Sequence, residues 1–247
     1  MAATMKLTRL EGKLFLRDPI ALFFGLLFPA ILLLALGYLF PGFDEPVEEL
    51  DWARYIDIYA PIALALGIAT LGLVTLPPIL GTYRQYGILR RLRTTPVHPS
   101  RLLSAQLAVH LTVAIAATAL AVLVSVLAFE VPLPQSPLLF AVSILLAAAS
   151  VFSIGLLVGA VARTQVSGQA IGMAIYFPML FLAGVWIPRS IMPDGLLLVS
   201  DLTPLGAAVQ AIDDAWFEGT VDPMSLVVMA VWAIVIGFLA VRLFRWE

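Results

Sequence analysis

The residues best placed to act on something outside the chain are five arginines, Arg84, Arg90, Arg91, Arg93 and Arg101, between Tyr83 and Arg101. Guanidinium groups break no bonds by themselves. Their work is electrostatic: they dock a surface of opposite charge and hold it in place. Five in nineteen residues exceed what orienting a membrane segment requires, which favours docking over the alternative that they merely fix topology. The other group with chemical potential is His110, roughly 9 Å along a long apolar helix by the helical rise. An ionisable side chain at such depth reads as functional by default. His110 has no acidic neighbour in the chain, however, and a lone histidine is more often a hydrogen-bonded packing residue.

Other catalytic patterns are missing from the chain. There is no cysteine, which removes disulfides, thiolate metal sites and thiol nucleophiles together. No G-x-x-x-x-G-K-[ST] loop is present to cradle nucleotide phosphates. No G-x-S-x-G elbow and no His/Asp/Glu cluster with metal-ligand spacing occurs either. The apolar segments carry no mid-membrane carboxylates of the kind a proton- or sodium-coupled carrier needs. The chain therefore reads as a non-enzyme without a cofactor of its own, and energy for any pumping must come from another polypeptide.

The elements that position these residues are set by composition. Of 247 residues, 62% are hydrophobic and 12% charged, with a mean hydropathy of +1.03. That balance excludes a water-soluble globular domain. Six apolar runs, Ile20–Phe40, Asp57–Leu80, Ser104–Phe129, Leu138–Ala162, Ala170–Ile187 and Met224–Phe244, approach or exceed the ~20 residues needed to cross ~30 Å of hydrocarbon. Twelve of the fourteen Lys and Arg then fall on one side; Arg54 and Arg189 are the exceptions. The positive-inside rule places that side, and both termini, in the cytoplasm. The expectation is one all-α membrane domain over residues 1–247, multi-pass in the plasma membrane of a prokaryote.

Two segments do not simply cross. Residues 4–18 place Lys6, Arg9, Lys13 and Arg17 within one arc beside Leu7, Leu10 and Leu14, the pattern of an interfacial helix. Its basic stripe would meet anionic lipid or a protein, or serve only as a topological anchor. Residues 188–223 hold two apolar pieces, each too short to span and interrupted by acids and prolines. Thr203 and Pro204 read as an N-cap and first helical residue. Two short helices that dip into the outer leaflet and return fit this pattern; an ordinary external loop is the alternative. Gly155/Gly159 and Gly168/Gly172 have the spacing that lets helices approach closely. Pro29, Pro61, Pro77, Pro78 and Pro178 are candidate bends.

Three segments resemble those of ABC-2-type transporter permeases, in the subgroup of daunorubicin-resistance-type drug exporters. They are Gly87-Ile88-Leu89-Arg90-Arg91-Leu92-Arg93-Thr94-Thr95-Pro96-Val97, Phe181-Leu182-Ala183-Gly184-Val185-Trp186-Ile187-Pro188, and Asp201-Leu202-Thr203-Pro204-Leu205. The likeness extends over the length and six-span layout. Gln85 departs from it, standing where relatives often carry glutamate. The resemblance implies a half-channel paired with a second copy or a paralogue, plus two ATP-binding subunits that hold ATP and Mg. It casts residues 83–101 as a coupling helix, with Arg84, Gly87, Leu89, Arg90, Arg91, Leu92, Arg93 and Pro96 as contacts and Arg163 in a second, smaller one. Gly184, Pro188 and Pro204 would belong to an outer gate. The implied activity is export of hydrophobic or amphipathic small molecules such as antibiotics, with no nucleic acid involved. Export of polysaccharide or lipid-linked glycan is the nearest alternative, and a non-transporting scaffold or immunity protein that recruits an ATPase is another.

Overall fold

The computed structural model describes residues 2–48, 52–93 and 100–244. Among them the regular structure is helical, apart from an isolated bridge between Pro46 and Arg54. The helices are α1 (Ala2–Leu16), α2 (Pro19–Leu39), α3 (Tyr55–Gln85), α4 (Ile88–Arg93), α5 (Ser100–Phe129), α6 (Pro137–Val161), α7 (Gln165–Leu182), α8 (Asp194–Asp201), α9 (Pro204–Glu218) and α10 (Pro223–Leu243). Six of these, α2, α3, α5, α6, α7 and α10, are long and apolar enough to cross a membrane. The six expected spans are therefore present.

Helix boundaries follow local chemistry. Asp18 ends the α1–α2 turn by accepting hydrogen bonds from the backbone N–H of Ile20 and Ala21, ahead of Pro19 at the first helical position. This stops α1 at Leu16, two residues before the expected end. Thr164 caps α7 in the same way through the N–H of Ser167. At the other end of α7, Gly184 adopts φ +94°, a conformation that side chains resist. The fifth span thus ends at Leu182 rather than Ile187. Thr203 accepts from the N–H of Gly206 with Pro204 first in the helix, as the sequence suggests.

The centre of the bundle is α3, whose most apolar window is 78% buried, followed by α6 at 61%. The remaining spans are buried over only 22–28% of theirs, leaving apolar faces for lipid or another chain. What allows α3 its central place is glycine on its neighbours. A Cβ on Gly155 of α6 would collide with the carbonyl oxygen of Gly72, and one on Gly172 of α7 with that of Leu73. Gly159 meets Leu80, and Gly168 meets the Pro77 carbonyl. Both small-residue pairs therefore work as close-approach surfaces, and both press on the same helix.

Two spans change register before a proline. In α2 the π-helical turn Phe23–Leu27 precedes Pro29, and in α3 the turn Thr70–Thr75 precedes Pro77 and Pro78. Proline has no N–H to return to the carbonyl four residues back. The widened turn absorbs that deficit, with the N–H of Leu76 bonding Leu71 O instead. Pro61 and Pro178 lie inside continuous helices.

At the end away from the termini, α8 and α9 meet at 95°. Neither is long enough to cross. The fully buried Trp216 donates from its indole nitrogen to Pro132 O at 2.7 Å, joining α9 to the α5–α6 connection.

Candidate functional site

The arginine-rich segment is built at the end of the bundle that also carries both termini. Helix α3 does not stop at Leu80 but continues through Tyr83 and Arg84 to Gln85, because nothing before Gly87 breaks it. Gly87, at φ +65°, turns the chain and gives its carbonyl to the N–H of Arg91. Helix α4 follows at once. Leu89 is 1% exposed and anchors it on the bundle, while Arg91 is exposed. Arg90, Leu92 and Arg93 share its backbone, and Arg101 lies in the first turn of α5. Pro96 lies outside the described residues.

Arg84 points inward. Its Nη1 donates to the carbonyls of Ala160 (3.0 Å) and Ala162 (2.5 Å), at the C-terminal end of α6. Its guanidinium also lies over the Phe244 ring, 5.6 Å from the centroid. A cation here satisfies carbonyls that the helix leaves unpaired and opposes the negative end of its dipole. Arg84 is thus a brace between α3, α6 and Phe244, while Arg91 is the exposed arginine of α4. Replacing Arg84 by alanine should cost about 1.5–3 kcal/mol, the range for hydrogen bonds to a charged group. The cost would be read as a lower midpoint of thermal unfolding in detergent.

The two loops at this end are stitched together. Gln85, the departure from the family pattern, accepts through Oε1 from the backbone N–H of Gln165 at 3.2 Å. Gly81 lies against the Thr164 carbonyl, where a side chain would not fit. Arg163 is exposed beside this junction. The end of α3 is therefore joined, through Gln85 and Gly81, to the turn between α6 and α7 that carries Arg163.

On α1, Lys6, Arg9 and Lys13 are exposed along with Leu10 and Leu14, as an interfacial helix requires, and Arg17 is exposed in the turn that follows. Two residues of α1 face the other way. Phe15 and Glu11 are each 6% exposed. Glu11 Oε2 accepts from the Tyr83 hydroxyl and from Gln106 Nε2, both at 2.6 Å. Sequence reading missed this acid, which looked like an ordinary charge on a surface helix. The signal was present in its spacing: Glu11 is four residues from Phe15 and stands off the basic arc.

At the opposite end, Gly184, Pro188 and Pro204 are organised by Arg189, which the sequence marked only as an exception to the charge rule. Arg189 packs on Gly184. It pairs with Asp201 and donates to Ser200 and, at 3.1 Å, to Gln210. Pro188 leads into the 3-10 turn Arg189–Ile191, and Pro204 starts α9 within the core. The bent pair α8–α9 is clamped by this ion pair. Nearby, Arg54 pairs with Asp57 and donates to Phe129 O, holding the start of α3 to the end of α5.

His110 is fully buried. Its Nδ1 lies 2.9 Å from Gln106 O and therefore carries the proton, and Nε2 lies 3.1 Å from the Thr75 hydroxyl beside the π-turn. Edge contacts with Phe15 and Phe152 complete its surroundings. Both ring nitrogens thus lie within hydrogen-bond distance of a polar group of the fold. His110→Ala should lower stability by about 1–3 kcal/mol, through unpaired polar groups and lost packing, while transport by the surviving protein changes little. Thermal unfolding and a flux assay on the same preparation separate the two.

Six helices long and apolar enough to cross a membrane, with a short basic helix at one end, make this a multi-pass membrane protein. The family model for ABC-2 type transporters matches residues 3–217, and the chain belongs to that family. No individual curated protein matches it. Permeases of the family work with an ATP-binding subunit.

Proposed function

We propose that the chain is the membrane subunit of an ATP-driven exporter. It pairs with a second copy or a paralogue and with two ATP-binding subunits that carry ATP and Mg. The end holding both termini faces the cytoplasm of a prokaryotic cell, a reading supported by the distribution of Lys and Arg. Helix α4 seats in a groove of the ATP-binding subunit, and Arg163 makes the smaller contact. The bent pair α8–α9 dips into the outer leaflet and closes the exit side, with Gly184, Pro188 and Pro204 at its turns. The cargo is a hydrophobic or amphipathic small molecule of the drug type.

The observation that carries this reading is the joined face built by Gly87, Leu89, Arg84 and Gln85. A topological anchor needs charge only. It does not need a buried leucine, a left-handed glycine stop and hydrogen bonds to two further helices. Closure of an ATPase pair would move this face as a rigid body, which is how a packed core transmits motion.

The test is ATP hydrolysis by the permease reconstituted in vesicles with its ATP-binding subunit, titrated with lipophilic drugs. Turnover should rise with cargo and drug should accumulate on the trans side. Turnover indifferent to every compound would instead mark a scaffold that recruits an ATPase without moving anything.

A further inference from the structure

A cavity of about 490 Å³ lies at the α4 end of the bundle, between α1, the start of α2 and the ends of α3, α5 and α7. Its apolar wall includes Phe15, Phe24, Pro78 and Ile79; its polar wall includes Glu11, Tyr83, Gln106 and Gln169. Asp18 also lines it, and no Lys or Arg does. The two charged groups of the lining, Glu11 and Asp18, are therefore both acids.

Glu11 is the unusual member. A carboxylate 6% exposed normally has a cationic partner, because removing an isolated charge from water costs several kcal/mol. Among the described residues its hydrogen-bond donors are two neutral groups, Tyr83 and Gln106. Among the described residues the ion pairs are Arg54–Asp57 and Arg189–Asp201, and neither reaches it. Burial accordingly pushes its carboxyl above the usual range, with the two donors opposing. Asp18 is already committed to capping α2.

We propose that this cavity is a loading site for a monovalent organic cation with an apolar body, whose charge is neutralised by Glu11 and whose body lies against Phe15, Phe24 and Ile79. The charge is complementary, and the aromatic walls add attraction for a cation. The volume falls within the range of small-molecule pockets. The site also adjoins the coupling face. Tyr83 precedes Arg84 in the chain, and Gln165, which also lines the cavity, is the residue whose N–H is held by Gln85. A ligand bound at Glu11 would thus be in contact with the element that receives motion. This deepens the exporter reading by naming a cargo class, and rests on it for the word cargo alone.

The probe is tetraphenylphosphonium, with tetraphenylborate as an anion of the same shape. Binding of each is measured separately, by calorimetry on the full-length permease in lipid nanodiscs without ATP. Wild type should bind the cation saturably and should not bind the anion. Glu11→Gln should weaken cation binding about tenfold or more, the loss expected when one member of a buried charge pair is removed. Glu11→Asp should retain most of it, and Ile79→Trp, which places a bulkier side chain where the ligand's apolar body would lie, should weaken it. Should Glu11→Gln fail to fold, the Asp and Trp variants carry the test.

Equal binding of both ions, or cation binding unaffected by Glu11→Gln or by Ile79→Trp, overturns the proposal. So does absence of cation binding to wild type, even where the ATPase-paired protein exports uncharged drugs. Cation binding of the expected pattern without any ATP-driven flux leaves the site intact and removes the exporter reading instead.

Discussion

Replacing Gly155 by leucine should abolish the folded bundle. Gly155 faces the carbonyl oxygen of Gly72 so closely that even a methyl group has nowhere to go, and the obstacle is backbone, which cannot rotate aside. The α3 backbone is also held by Gly159, Gly168 and Gly172 against Leu80, Pro77 and Leu73, so it cannot retreat. Inserting bulk into a packed core costs about 1–3 kcal/mol and sometimes more. A leucine that wedges the two most buried spans apart belongs at or beyond the upper end. The yield of monodisperse protein and its unfolding midpoint should collapse. Gly195→Leu, at a position where an added Cβ meets nothing within 4 Å, should leave both unchanged. An intact, normally stable Gly155→Leu protein would show that α3 is not the centre of the packing.

The second large effect concerns the partner. Arg90→Glu combined with Arg91→Glu should detach the ATP-binding subunit on co-purification while the permease keeps its unfolding midpoint. Arg91 is exposed on α4, whereas the brace to α6 is made by Arg84, so the fold should tolerate the change. Reversing charges at a docked surface replaces attraction by repulsion. Loss of a single buried charge partner already costs about 2–5 kcal/mol, which converts to at least a ~30-fold loss of affinity. Arg84→Glu should behave in the opposite sense and destabilise the permease itself. A complex that survives the double reversal intact and active would return the arginines to a purely topological role.

Much of this architecture was legible in the sequence because membrane solvent imposes strong rules. Apolar run lengths located six spans, and Thr203-Pro204 announced a helix start through its own hydrogen-bonding needs. Two glycine pairs marked close contact, although their common partner could not be read from spacing. The direction of a side chain was the harder matter. Arg84 is one more positive charge in a basic segment by sequence, and only the carbonyl ends of α6, far off in the chain, draw it inward. Glu11 was hidden for the same reason, since its partners Tyr83 and Gln106 come from two other helices. Pro77 and Pro78 signalled a disturbance in α3, but proline reports a missing donor and not how the helix repairs it. Arg189 appeared as a charge out of place because Asp201 and Gln210 lie beyond two turns of chain.

The absence of cysteine makes the central claim directly testable with a single engineered thiol. Tyr86, exposed in the turn between α3 and α4, is the place to put it. In inside-out vesicles, Tyr86→Cys should react quickly with a membrane-impermeant maleimide when the permease is expressed alone, and slowly once the ATP-binding subunit is bound. Labelling from the outer face of intact cells, or a rate unchanged by the bound subunit, would contradict the account.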